Sequence, residues 1–186
     1  RDIYEELPPF VLGITTGRTP IGLYRELVKR YMEGEVSFAN VAVYSLDEFY
    51  PIRRTEQQSR NFRIHDEFLK HIDIRPENVH IPDGTISESE VSEYCAAFDK
   101  SIRKIDLMII GFGEQGQIGF NEQGSYAKSH TRLVELSHNS RKVQSDLFFG
   151  LENTPKMAIT MGIGTIMRAD RIVLMAWGED KANAVQ

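Results

Sequence analysis

At 186 residues, 41% hydrophobic and 26% charged, the chain has the makeup of one soluble globular domain with a real core, not of a disordered or membrane protein. A formal charge of −5 without a basic tract argues against nucleic-acid partners, and the longest apolar runs, RIVLMAWG and KIDLMIIGF, are too short to span a bilayer. The lone Cys95 excludes an internal disulfide and RDIYEELPPF lacks an apolar core, so a cytoplasmic protein is expected.

In chain order, PFVLGIT reads as the first strand. Thr16-Gly17-Arg18-Thr19-Pro20 follows, with Thr19 as the expected N-cap and Pro20 as the first helical residue. The helix PIGLYRELVKRYME carries Ile21, Leu23, Tyr24, Leu27, Val28 and Tyr31 on one face. Two readings of this turn stand together. It is an ordinary capped connection, or a loop whose free amides and helix dipole meet an anion; the P-loop spacing is absent. The strand NVAVYSL ends on Asp47-Glu48, where strand alternation sends only one carboxylate into a cleft. Either the acid caps the next turn, or it works, since a carboxylate ending a buried strand is otherwise costly.

Ser59-Arg60-Asn61-Phe62 reads as the cap of the helix SRNFRIHDEFLKHI, with Arg60 within reach of the cleft. A further helix runs from Glu90 through EVSEYCAAFDKSIRK. The remaining strands are KIDLMIIGF, TRLVELS, KMAITMG and RIVLMAWG; a glycine turn at Ile163-Gly164-Thr165 follows the third, and Glu179-Asp180-Lys181 opens a helix after the last. Alternating strands and helices predict an α/β fold: one Rossmann-like three-layer α/β/α domain with a mostly parallel sheet, spanning 1–186 and cut at both ends. Ligands in such sheets sit beyond the carboxyl ends of the strands.

Beyond KIDLMII lies GFGEQGQIGFNE, whose first six residues fit the dinucleotide pattern G-x-G-x-x-G. Glu135 even lies near the spacing of the ribose-binding acid. The helix that should follow the third glycine is missing, however, because residues 117–124 carry two more glycines and no apolar period. A loop of this kind lays backbone against a small ligand and aims Glu122 inward. No cofactor is expected, and His65, His71, His80, His130 and His138 show no metal-ligand spacing.

Together LGITTGRTPIGLYREL, YSLDEFY, SRNF with IDIRPENVHIPDGT, GFGEQGQIGFNE, ITMGIGTIMRAD and the GEDKA turn resemble the glucosamine-6-phosphate deaminases (isomerases), in family order and over essentially the whole chain. The resemblance implies a hexosamine 6-phosphate substrate, converted to a ketose phosphate with loss of ammonia. It implies Asp47 as the proton shuttle between C2 and C1 and Glu122 as an aid to ring opening. It places Thr16, Gly17, Arg18, Thr19 and Lys181 on the phosphate, with Gly111 and Gly113 lining the substrate loop. Ser125 and Arg132 match positions of an effector pocket in the allosteric branch of a family that ranges from monomers to hexamers, so a homo-oligomer is possible.

Departures fall on the chemistry. Gln115 and Gln117 stand where the family pattern has Asp and the ring-opening His, and an amide cannot exchange a proton near neutral pH. Arg18 replaces a glycine, Asp146 falls where a phosphate-binding arginine is usual, and Val134 replaces an effector-site lysine. Three readings follow: a deaminase or isomerase on an altered or already open sugar phosphate, a catalytically weak sugar-phosphate sensor, and, last, a nicotinamide enzyme. His130 or His138 could replace the lost relay.

Overall fold

A computed structural model describes residues 7–113 and 116–182. The apolar β1 (Phe10–Ile14) pairs in parallel with β2 (Val41–Ser45), from Phe10 opposite Val41 to Ile14 opposite Ser45. On its other side β1 pairs with β5 (Leu107–Gly111), which in turn pairs with β8 (Ile172–Met175); the two-residue β4 (Val79–His80) closes the far edge beside β2. The sheet order β4-β2-β1-β5-β8 is parallel throughout.

Alternation along these strands divides the core into two. Leu12, Ile14, Val43 and Ile109 face α1 (Ile21–Met32) and α2 (Arg60–Glu67), whose Tyr24 and Ile64 are fully buried with Phe68. Tyr44, Leu46, Met108 and Ile110 face the opposite way, onto Phe98 of α3 (Val91–Ser101) and Ile166 of α5 (Ile163–Ile166). Burial on both faces is what a parallel sheet requires, and it produces the three layers expected from the sequence.

Two expected strands belong elsewhere. TRLVELS and KMAITMG become β6 (Arg132–Glu135) and β7 (Met157–Thr160) of a separate antiparallel sheet, in the order β3-β7-β6. Its outer member, β3 (Asp47–Tyr50), continues directly from β2 and puts Asp47 opposite Thr160. The helix expected over 59–72 stops at Glu67, because Phe68 leaves helical geometry (φ −141°) to stack on Tyr24 at 4.8 Å. A short helix not anticipated, α4 (His138–Gln144), follows β6, capped by Ser137. Among the described residues no helix is long and apolar enough to cross a membrane.

Candidate active site

The loops after β1, β5 and β8 meet at the carboxyl edge of the parallel sheet. A Cβ on Gly111 would lie 3.4 Å from the Thr19 hydroxyl, and the Trp177 indole donates to the Thr19 carbonyl at 3.0 Å. Gly17 holds φ +105° with open space around it, so glycine is needed there for conformation rather than fit. Thr19 does not cap α1 as expected. Tyr24 N–H already bonds the Pro20 carbonyl, so Pro20 is itself the cap residue, and it makes no side-chain cap hydrogen bond to α1. The Thr16 hydroxyl is buried and has no hydrogen-bond partner among the described residues, whereas Arg18 is exposed. Lys181 closes a 3₁₀ turn, Glu179–Lys181, just beyond Trp177.

The adjacent acids Asp47 and Glu48 part as alternation demands. Glu48, 1% exposed, accepts from Ser59 Oγ (2.8 Å) and from the amides of Phe49, Arg60 and Asn61 (2.8–2.9 Å). It therefore fixes the first turn of α2 together with the Ser59 cap, whose hydroxyl accepts from Phe62 N–H. Burial pushes the Glu48 carboxyl upward against the pull of these donors. Glu48→Ala, which strands Ser59 and two α2 amides, is expected to cost about 3 kcal/mol, read as a fall in the urea midpoint; an unchanged midpoint contradicts this role.

Asp47, 4% exposed, faces the other way. Its Oδ1 lies 3.5 Å from Arg60 Nε, within ion-pair reach but with no hydrogen bond formed. Burial raises the Asp47 carboxyl above its usual range, and the Arg60 charge opposes that shift.

In the glycine loop, Gly113 N–H bonds the Gln117 carbonyl at 2.8 Å, and the Gln117 amide folds over Gly113, within 2.2 Å of where a Cβ would stand. Gln115 lies outside the described residues. Gly116 takes a positive-φ turn rather than opening a helix, which removes the dinucleotide reading. Gly119 (φ +59°) abuts Thr160 and Leu46 so closely that a Cβ would come within 2.9 Å of the Thr160 hydroxyl, and Phe120 N–H donates to that hydroxyl. The loop is thus pressed onto the strand that pairs with Asp47. Glu122 emerges beyond it and accepts from Ser137 N–H at 3.1 Å, ahead of α4. Among the described residues the Asp47 and Glu122 carboxylates do not share a partner; what links their segments is the Phe120 ring, which lies against Arg60.

The family model for glucosamine-6-phosphate isomerases and 6-phosphogluconolactonases matches residues 1–186. The chain belongs to this family. A glucosamine-6-phosphate deaminase of Thermoanaerobacter sp. (strain X514) is 40% identical over 185 residues, 98% of this chain and 72% of that protein. A solved monomeric glucosamine-6-phosphate deaminase superposes with a TM-score of 0.89 at 38% identity, covering 99% of this chain and 77% of the other. The 6-phosphogluconolactonase of Thermotoga maritima shares the fold alone (TM-score 0.74, 18% identity, 97% and 76% covered).

Against this family's pattern, Ser125 and Arg132 do come together: the Arg132 guanidinium reaches Ser125 Oγ at 3.4 Å and Asn121 Oδ1 at 2.9 Å. They line a cleft of about 540 Å³ shared with Glu122, His130, Val134 and Glu135. His130 reaches this cleft with its ring tied through Nδ1 to the buried Asp99 at 3.0 Å. Asp146 sits in the 3₁₀ turn Ser145–Phe148 and lines a different cleft with Arg63, Glu67 and Phe149. Sequence reasoning missed Arg63, an i,i+4 partner of Glu67 within a helix pattern. Among the described residues no cluster of His, Cys, Asp or Glu could hold a metal.

Proposed function

We propose that residues 1–186 act as one glucosamine-6-phosphate deaminase domain, turning a hexosamine 6-phosphate and water into the ketose 6-phosphate and ammonia in amino-sugar metabolism. The observation that carries this reading is Asp47: a buried carboxylate at the start of β3, just beyond the carboxyl end of β2, opposed by a guanidinium. Asp47 takes the C2 proton of the opened sugar and returns it to C1; water then hydrolyses the C2 imine and ammonia leaves. Thr16, Gly17, Arg18, Thr19 and Lys181 hold the phosphate, whose binding energy positions the reacting carbons from a distance. Glu122 and Gln117 flank the ring oxygen with Gln115, and Gly111 and Gly113 line the substrate.

Purified protein given glucosamine 6-phosphate is expected to release ammonia and ketose in equal amounts. Because Val134 leaves Ser125 and Arg132 without their cationic neighbour, the rate should be hyperbolic in substrate. The amide at Gln117 favours a second reading, a sugar-phosphate-binding paralogue with a sensing role. Calorimetric binding without product selects that reading, and neither binding nor product removes both. The protein is taken to work in the cytoplasm on a small molecule, apart from nucleic acid and membranes, with self-association open to sedimentation.

A further inference from the structure

Arg60 is held at both ends. Its backbone N–H donates to Glu48 at 2.9 Å, at the first turn of α2. At its tip the guanidinium carbon lies 4.6 Å from the centre of the Phe49 ring and 5.6 Å from that of Phe120. Both distances are within cation–π range, and the residue is 8% exposed, so the rings and α2 leave it little freedom. Its Nε faces Asp47 Oδ1, and neither atom has a hydrogen-bond partner among the described residues.

Among the described residues, no other charge competes with Arg60 for Asp47. Opposite it on β7 stands the uncharged Thr160, itself bonded by Phe120 N–H. On β3, Glu48 is turned to the cap of α2. On β6, Arg132 is drawn to Asn121 and Ser125, and beyond the glycine loop Glu122 is drawn to Ser137. Further along α2, Arg63 pairs with Glu67. Arg60 is thus the counter-ion that the fold gives Asp47.

We infer that Arg60 is a positioning residue for Asp47: clamped between Phe49 and Phe120, it keeps the buried carboxylate charged and aimed for proton abstraction. The inference rests on the proposed deaminase reading, and it explains how a carboxylate nearly shut off from solvent remains a base. Removing the guanidinium leaves burial unopposed, which drives the carboxyl toward its neutral form.

Arg60→Met is expected to lower kcat about 100-fold near neutral pH while KM changes less than about threefold, and to move the acid limb of the kcat profile up by about one pH unit or more. Arg60→Lys, which keeps a cation but not the planar fork, should recover about a tenth or more of wild-type kcat and move the limb back. Arg60→Gln carries the same test should the methionine variant not fold. An acid limb unmoved in a folded, charge-free variant overturns the inference. Absence of turnover in the wild type defeats the deaminase reading instead, and thermal unfolding against pH then decides. The Asp47 carboxyl titrates higher folded than unfolded, so its contribution to stability is full below the unfolded value and falls as pH rises through the folded one. Arg60→Met should widen that falling window, and Asp47→Asn should remove the Asp47 share and leave only that of the raised Glu48 carboxyl, so the comparison is made in a Glu48→Gln background; equal windows with and without Arg60 overturn the inference.

Discussion

Asp47→Asn is expected to lower kcat/KM for ammonia release by about 10³-fold while leaving affinity for an unreactive hexitol 6-phosphate within about threefold. Asparagine keeps the shape of the side chain and both of its heavy-atom positions, so β3 should still pair with β7 through Asp47 and Thr160. What it lacks is a basic oxygen. Since burial lifts the Asp47 carboxyl and Arg60 only partly opposes that lift, the acid limb of the wild-type profile should also lie above the ordinary aspartate range of about 3.9. A variant retaining a tenth or more of wild-type kcat/KM would remove Asp47 from the chemistry. Glu48→Gln is the matched control: its carboxylate serves the cap of α2, so its substitution should appear in stability before it appears in kcat.

The difference between these neighbours was only half legible in the chain. Strand alternation shows that Asp47 and Glu48 part, and the Ser59-Arg60-Asn61-Phe62 cap was readable from residue types alone. Which acid faces the cap is decided by how far α2 stands from β3 in space, and local sequence does not encode that separation. The same limit explains the second sheet. TRLVELS and KMAITMG carry the composition of strands, yet nothing in an apolar run states its direction or its partner, and their antiparallel pairing with β3 depends on the chain running straight on from Ser45 into Asp47. Arg60 was legible only in part: its place at a helix start puts it within reach of the cleft, but its clamp between Phe49 and Phe120, far apart in sequence, shows only in the fold. The glycine loop was the opposite case. Its lack of apolar period predicted that no helix would follow Gly116, and none does.

Gln117→His is expected to raise kcat on glucosamine 6-phosphate about 100-fold and to add an ionisation near the ordinary imidazole value of about 6.5 to the profile. The closed turn from Gly113 to Gln117 already folds the residue-117 side chain back over Gly113, and an imidazole there would bring a titratable group to the place where the amide now lies. Opening a pyranose requires a proton delivered to the ring oxygen as C1 becomes a carbonyl; an amide can donate a hydrogen bond to that oxygen but cannot give up the proton. On the proposed reading, glutamine at this position leaves the enzyme to wait for sugar that has opened in solution or with Glu122 alone. A 5-deoxy substrate, which cannot close the six-membered ring, separates the steps. Wild type should turn it over faster than glucosamine 6-phosphate, and Gln117→His should leave that rate unchanged. If the histidine accelerates both substrates equally, ring opening is not what limits this protein, and if it accelerates neither, the residue-117 side chain lies outside the path of the proton.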